Sequence, residues 1–392
     1  MTTLPPDWKR HLELALVPGL GPKLTAALLE HFGSADAALH ASAAQLEAVP
    51  KIGALLAQQF AASFRTVDAS AELASLQKHA VQIALLGREP YPTRLATIDD
   101  APQLLYYRGT FDDADRNAVG IVGSRQCTPY GRRMAERIAA GLVRAGWTVI
   151  SGLARGIDGV AHQAALDAGG RTIAVLAGGL SRIYPPEHAE LADAIALRGA
   201  LLTETPMTVA PQPGMFPARN RIISALSRGI VVIEANARSG ALITATHAGE
   251  QGHEVFALPG NVDSGPSAGC HELLRKGARL VRDADDILED LRGIAPPDLP
   301  PKARRVAPPE RTLFGAAEPV AAARASEIAT PVRPPGLDEL QIRIWEALTE
   351  ARHSDELARE LALPSGELTR ALMMLEMKKA IRRLPGNSYE RR

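Results

Sequence analysis

Val119-Gly-Ile-Val-Gly-Ser-Arg125 decides the fold class. An apolar run ends in a glycine turn, and the residues beyond it, Gly131 to Arg144, carry helical spacing. The pattern then repeats along the chain. Candidate strands at Trp147–Ile150, Thr172–Leu176, Ala200–Leu202, Gly229–Glu234, Glu254–Leu258 and Ala278–Val281 alternate with helical stretches. Those stretches are Ile157–Ala168, Glu187–Leu197, Arg219–Leu226, Gly240–Glu250 and His271–Lys276. Two further apolar runs, Ile83–Leu86 and Gln103–Tyr107, precede the series. Continuous apolar strands alternating with amphipathic helices predict a parallel sheet covered on both faces. The fold class is therefore α/β, a Rossmann-like doubly wound parallel sheet. Ligands of such sheets bind beyond the carboxyl ends of the strands. Gly123-Ser-Arg125, Ser151–Arg155, Gly178-Gly179 and Glu234–Gly240 all fall there.

The flanks read differently. Leu12–Leu16, the turn Val17-Pro-Gly-Leu-Gly21 and Leu24, Leu28 and Leu29 give helix, turn, helix. That is a helix-hairpin-helix pattern, in which the glycine N–H groups can face a DNA phosphate; a plain helical hairpin punctuated by Gly and Pro is the alternative. A weaker copy stands at Val49-Pro-Lys-Ile-Gly53. The expected division is a helical, SAM-like domain at 1–75, the Rossmann-like domain at 80–292, a linker at 293–336 and a winged-helix domain at 337–392. The linker is rich in Pro and Ala, a composition that buries no core. In the last segment, Leu340, Ile342, Ile344, Trp345 and Leu348 mark one helix. Ser354 caps a second at Asp355–Leu361, without a capping box because Leu357 stands at its third position. A third follows Pro364-Ser365 through Leu368, Leu372, Met373 and Leu375, and two wing strands flank Pro385-Gly386-Asn387. Mixed charges leave DNA or protein open as its partner.

Among 392 residues, Lys+Arg and Asp+Glu both number 44, so any nucleic-acid contact must come from local clusters. Aromatics make up 4%, too few for a broad stacking platform. Cys127 and Cys270 form neither a CxxC pair nor a metal spacing, which fits a reducing cytosol. No run reaches the ~18 apolar residues of a membrane span, and no signal peptide is legible at the start. A cytoplasmic chain without metal or cofactor is expected.

Phe216-Pro-Ala-Arg-Asn-Arg-Ile-Ile-Ser-Ala-Leu-Ser227 and Gly123-Ser-Arg125 carry the functional signal. Both place arginines at expected helix starts, where unpaired N–H groups attract anions. Arginine is a poor choice against the helix dipole there, a conflict that a docked phosphate resolves. An ion pair of these arginines with Glu204 or Glu234 is the alternative. Arg155 projects at a strand-to-helix turn. Ser239-Gly240 offers an anion nest or a simple turn. Phe216 suits base stacking or a core position. Asp158 and His162 share a helix face, but no third orienting group is legible, which favours a cap and a packed histidine. GxxxxGK[ST] is absent, Gly120–Arg125 fails GxGxxG, and Gly265-Pro-Ser-Ala-Gly269 lacks the strand a nucleophile elbow needs.

GIVGSR, SGLARGIDGVAHQAAL, AVLAGGL with IYPPEH, FPARNRIISALS and SGALITATHAGEQGHEVFALPGNV stand in order over roughly 80–290. As an ordered set they resemble the DNA-processing protein A family (DprA, also called Smf). The resemblance implies single-stranded DNA binding during natural transformation, protection of that DNA, and loading of the RecA recombinase past single-strand-binding protein. It implies a homodimer through the Rossmann-like domain and no catalytic activity. It places Ser124, Arg125, Phe216, Arg219, Asn220 and Arg221 in the DNA pocket. The residue reading adds Gly123, Arg155, Ser239 and Gly240. Met215 departs from the polar residue that relatives often carry. Two alternatives remain. One is a Rossmann enzyme processing a nucleotide or phosphoribosyl compound with Glu204 or Glu234 as its carboxylate. The other is a transcription regulator reading duplex DNA with its winged helix.

Overall fold

The computed structural model describes residues 7–292 and, further on, 338–348, 352–353, 357, 361, 363, 365–378, 380–384 and 388–391. The expected linker, the Ser354 cap, most of the helix at Asp355–Leu361 and the turns at Pro364 and Pro385–Asn387 lie outside these residues. Two compact units divide the chain, one up to Arg305 and one from Val306.

In the first unit six helices come first: α1 (Trp8–Ala15), α2 (Pro22–Phe32), α3 (Ala35–Leu39), α4 (Ala43–Glu47), α5 (Ala54–Thr66) and α6 (Ser70–Lys78). Their boundaries follow local chemistry. Gly21 caps α2 with Pro22 at its first position, and Gly33 ends it with a left-handed φ of 75°. Ser42 and Gln45 form a reciprocal capping box on α4. The two hairpins repeat at residue level. Leu14 and Val17 in the first, and Leu46 and Val49 in the second, share one buried core with Leu28 and Phe60. At the matching turn positions Gly19 has φ 78° and Lys51 has φ 71°.

The sheet follows: β1 (Gln82–Leu85), β2 (Leu104–Gly109), β3 (Ala118–Gly123), β4 (Thr148–Ser151), β5 (Thr172–Val175), β6 (Ala200–Thr203), β7 (Gly229–Ile233), β8 (Glu254–Ala257) and β9 (Arg279–Leu280). The strand order is β1-β2-β6-β5-β4-β3-β7-β8-β9. Strands from β3 onward run parallel, while β2 lies antiparallel against β6 and β1 against β2. Interleaved are α7 (Pro129–Arg144), α8 (Ile157–Asp167), α9 (Ala189–Arg198), α10 (Met215–Leu226), α11 (Ala241–Glu250), α12 (Ala268–Arg275) and α13 (Ala284–Arg292). Alternate residues of each central strand enter opposite cores. Ile150, Val175, Leu202 and Val232 pack with Ile222, Leu226, Ala241 and Ala245 on one face. Val119, Val149 and Val231 pack with Ile138, Leu142, Ala161 and Ile287 on the other. Residues Leu12 and Leu76 of the helical segment join a third cluster with Tyr106, Ala174 and Leu201. The chain order turns back at β3, which has β4 on one side and β7 on the other. That is the switch point where open α/β sheets hold ligands.

The second unit contains α14 (Glu339–Ala347), α15 (Ser365–Met377), and a sheet of β10 (Arg352–His353), β11 (Ile381–Leu384) and β12 (Ser388–Arg391), ordered β10-β12-β11. Ile344, Trp345, Leu357, Leu372, Leu375 and Ile381 form its core. Arg391 lies 4.2 Å from the Trp345 ring and donates to the carbonyls of Trp345 and Glu346, which end α14.

Lys51 keeps a β-carbon where the first hairpin has glycine. Lys51→Gly is expected to stabilise the chain by about 0.5–1 kcal/mol, since relief of the left-handed backbone exceeds the entropy gained by unfolded glycine. A rise in urea midpoint at constant slope reads this directly. An unchanged or lower midpoint contradicts it.

Candidate nucleic-acid interface

β3 ends at Gly123, and the chain crosses the sheet end through Ser124 to Thr128 before α7. Two glycines allow this path. A β-carbon on Gly123 would collide with the Ile233 carbonyl of β7, and one on Gly156 (φ 74°) with the Ser124 carbonyl. Ile157 N–H, at the start of α8, then donates to the Ser124 carbonyl at 3.1 Å. Ser124 Oγ accepts from Gln126 N–H at 3.1 Å. On the far side the Glu234 carboxylate accepts from Thr128 N–H at 2.8 Å and from the Thr128 hydroxyl. Thr128 Oγ1 in turn caps α7 by accepting from Gly131 N–H. Glu234 is buried, so this carboxylate holds a loop in place.

These turns surround a cleft of about 910 Å³. Of the ten residues expected to meet DNA, nine line it: Gly123, Ser124, Arg125, Arg155, Phe216, Arg219, Asn220, Ser239 and Gly240. Arg221 does not. It is buried and ion-paired to Glu204 at 2.5 Å and to Asp100 at 3.3 Å. The intramolecular pair weighed from the sequence is thus realised for Arg221, and Glu204 is engaged there, pushed up by burial against the pull of Arg221.

The helix carrying these arginines begins at Met215, capped by Gly214 and with Pro217 in its first turn. Residues 219–221 therefore lie in the second turn, which corrects the expectation of arginines at the helix start. Proline is tolerated in that first turn, where N–H groups have no partner anyway. The dipole conflict read from the sequence is replaced by a burial conflict. Arg219 is 5% exposed. Its Nη1 donates to the Val175 carbonyl at the end of β5, and its Nε has no acceptor among the described residues. Burial lowers the guanidinium to about 10, with Asp158 opposing that shift; it stays charged at neutral pH. Asn220 Nδ2 donates to the Gly240 carbonyl at 3.2 Å, tying α10 to the start of α11. Ser239 N–H donates to Asn236 O, and Ser239 Oγ accepts from Ala241 N–H. The nest expected at Ser239-Gly240 has therefore already committed the Ser239 donor.

At the mouth, side chains alternate cation and ring. Arg125 lies 5.0 Å from the Phe216 ring centre. Phe216 meets Tyr184 edge-on at 5.9 Å, and Arg155 lies 5.9 Å from Tyr184. Arg155 also forms a two-pronged ion pair with Glu187 through Nε and Nη2. Arg125 has no carboxylate partner of that kind among the described residues. Tyr184 and Arg238 also border the cleft, and Arg182 borders a small pocket beside it. Sequence reasoning assigned them no role, although Tyr184 stands in the quoted IYPPEH and Arg238 at a strand's carboxyl end.

Asp158 and His162 do not form a catalytic pair. Asp158 Oδ2 accepts from Gly152 N–H at 3.1 Å and Ala154 N–H at 3.4 Å. Burial raises its carboxyl, and Arg219 pulls against that rise. His162 is fully buried with Nδ1 2.6 Å from Thr172 Oγ1. Thr172 gives its proton to the Val149 carbonyl, so Nδ1 is the donor and Nε2 is a bare lone pair. Gly265–Ser267 is a short 3-10 turn leading into α12, not a nucleophile elbow. Among the described residues no cluster of His, Cys, Asp or Glu could hold a metal, and no helix is long and apolar enough to cross a membrane.

The model of the family described as DNA recombination-mediator protein A matches residues 67–292. The chain belongs to this family. A DprA winged helix domain matches 329–387 and a SAM-like helix-hairpin-helix tandem matches 12–66. Protein Smf of Synechocystis sp. is 34% identical over 386 residues, 96% of either chain. DNA processing protein DprA of Bacillus subtilis is 41% identical over 220 residues, covering 56% of this chain and 74% of its own. The X-ray structure of DNA processing protein A from Streptococcus pneumoniae aligns with a TM-score of 0.64 at 35% identity, over 72% of this chain and 97% of that one. A place in DNA processing follows from membership of the DNA recombination-mediator protein A family.

One buried and one half-buried histidine, His162 and His253, shape the acid response. Burial lowers His162 to about 3, helped by the charges of His188 and Arg219, and lowers His253 to about 4, helped by Arg94. The unfolded chain, with histidine near ~6.5, binds more protons between these values. Stability is thus fully present above about pH 6.5 and falls on acidification, by up to ~1.4 kcal/mol per pH unit per histidine. Urea midpoints at pH 7.5, 6.0 and 5.0 should decline in that order. His162→Gln should flatten the decline, and an identical slope would remove His162 as a cause.

Proposed function

We propose that the cleft binds single-stranded DNA by its phosphate backbone and that the chain acts as a recombination mediator, protecting the strand and loading RecA recombinase onto it during natural transformation. One observation carries this reading: a cleft at the sheet's switch point bordered by Arg125, Arg155, Arg219 and Arg238, in which Arg125 has no ion pair to a carboxylate among the described residues. Guanidinium groups suit phosphate, and the adjoining Phe216 and Tyr184 rings offer faces to bases. A homodimer through the Rossmann-like domain, and exchange with single-strand-binding protein, complete the proposal.

The enzyme reading finds less support. Glu204 and Glu234, its candidate carboxylates, are engaged with Arg221 and Thr128 and do not line the cleft. The regulator reading fares similarly. The exposed residues Glu367, Arg370, Glu376 and Lys378 on and just after α15 alternate in sign, which gives little net attraction to duplex phosphates.

Titration with labelled single-stranded DNA should give affinity that falls with salt at a log–log slope of about −0.7 per phosphate contacted. Arg125→Ala should weaken binding and shallow that slope by about one contact without changing the melting temperature. Phe216→Ala should cost ~1–3 kcal/mol of binding. Arg221→Ala should act in the opposite way, destabilising the fold by roughly 3 kcal/mol by leaving the half-buried Glu204 and Asp100 without their cation. A salt-independent affinity, or full binding by Arg125→Ala, would sink the reading.

A further inference from the structure

The turn from Tyr184 to His188 carries an anion to the edge of a cleft bordered by cations. Tyr184 borders the cleft and meets Phe216 edge-on. The turn is fastened at its far end. His188 N–H donates to the Pro185 carbonyl at 3.0 Å, and His188 Nδ1 donates to the Leu153 carbonyl, just after β4, at 2.9 Å. Next to this anchor the Glu187 carboxylate accepts from both Nε and Nη2 of Arg155. Arg155 borders the cleft and Glu187 does not. One of the guanidinium groups that borders the cleft is therefore already filled by an anion of the chain itself.

Exposure separates this pair from the other arginine pair beside the cleft. The side chains of Arg155 and Glu187 are 51% and 49% exposed, whereas that of Arg221, paired to Glu204 and Asp100, is 8% exposed. A buried pair stays closed because an opened partner would be stranded away from water. An exposed pair opens at little cost, because water replaces each partner. Both groups are fully charged: Glu187 raises Arg155, and Arg155 lowers Glu187. The planar fork that a carboxylate fills in this two-pronged way is the one that phosphate oxygens also fill.

We propose that Glu187 is a built-in competitor for the strand's phosphate: it occupies the Arg155 fork in the free protein, and a bound strand exchanges it for a phosphodiester. Arg125 needs no such exchange, since it has no ion pair to a carboxylate among the described residues. A strand already held at Arg125 and Phe216 brings a further phosphate to Arg155 at high effective concentration, which a free nucleotide does not. The exchange lowers affinity for the strand, and limited retention suits a protein that hands a strand on. The proposal deepens the single-strand reading and rests on it.

The test titrates labelled single-stranded DNA, across a salt series, into the unaltered chain, Glu187→Gln, Arg155→Ala and the double variant. In the unaltered chain a phosphate at Arg155 sets Glu187 free to take up a cation, so this contact adds little to the salt slope. Glu187→Gln is expected to bind severalfold more tightly, with a log–log slope steeper by about 0.7, the worth of one phosphate contact. In the Arg155→Ala background the same substitution should leave the slope unchanged, which separates exchange at Arg155 from mere removal of a negative charge. Unchanged or weaker binding by Glu187→Gln, or a steeper slope in both backgrounds, would overturn the exchange and leave the single-strand reading standing. Absence of binding by the unaltered chain would overturn both.

Discussion

Arg219 is the constraint around which the open end of the sheet is arranged. A guanidinium taken out of water costs several kcal/mol unless partners replace the solvent. Here the partners come from three elements: the Val175 carbonyl from β5, the Asp158 charge from α8, and space at Gly152 beyond β4. Asp158 is itself held by the N–H groups of Gly152 and Ala154, so the turn after β4 is fixed from both sides. α10, β4, β5 and α8 thus meet at one charge. His162 follows as a consequence. With a cation and His188 nearby it remains neutral, and its single N–H goes to Thr172. Arg219 Nε is buried and has no acceptor among the described residues, while the residue itself borders the cleft.

Much of this was legible in the sequence, for definite reasons. The central strands are continuous apolar runs, and a strand buried on both faces leaves such a run regardless of its neighbours. Each run ends in a turn, so the loops at the carboxyl ends could be placed before the sheet order was known. Nine of the ten residues chosen for the cleft line it because all sit at strand ends or on the helix facing them. The bland reading of Asp158 and His162 followed from the absence of a third group, and the structure gives each a structural partner.

What could not be read depends on direction and distance. Arg219 and Arg221 are two residues apart, about 200° around a helix. One therefore enters the cleft and the other turns to Glu204 and Asp100, a split that a string of letters does not display. Their helix starts at Met215, with Pro217 tolerated in its first turn, four residues before the start expected at Arg219. Tyr184 and Phe216 are 32 positions apart in sequence and reach each other only across the cleft. Antiparallel pairing of β2 with β6 is likewise a tertiary choice, since an apolar run carries no sign of its direction.

The same geometry separates holding from reacting. Rossmann-like sheets place ligands at the switch point whatever the chemistry, so function must be argued from the side chains there. In this chain the carboxylates around the cleft are committed: Glu234 to the loop before α7, Glu204 to Arg221, Asp158 to the turn after β4, Glu187 to Arg155. Each fixes a donor or a backbone turn, and the cations they leave unmatched face the cleft. An acid–base site needs a carboxylate free to exchange a proton with a bound group. A phosphate-holding site, as proposed for this cleft, needs the reverse: anions spent on the scaffold and donors left over.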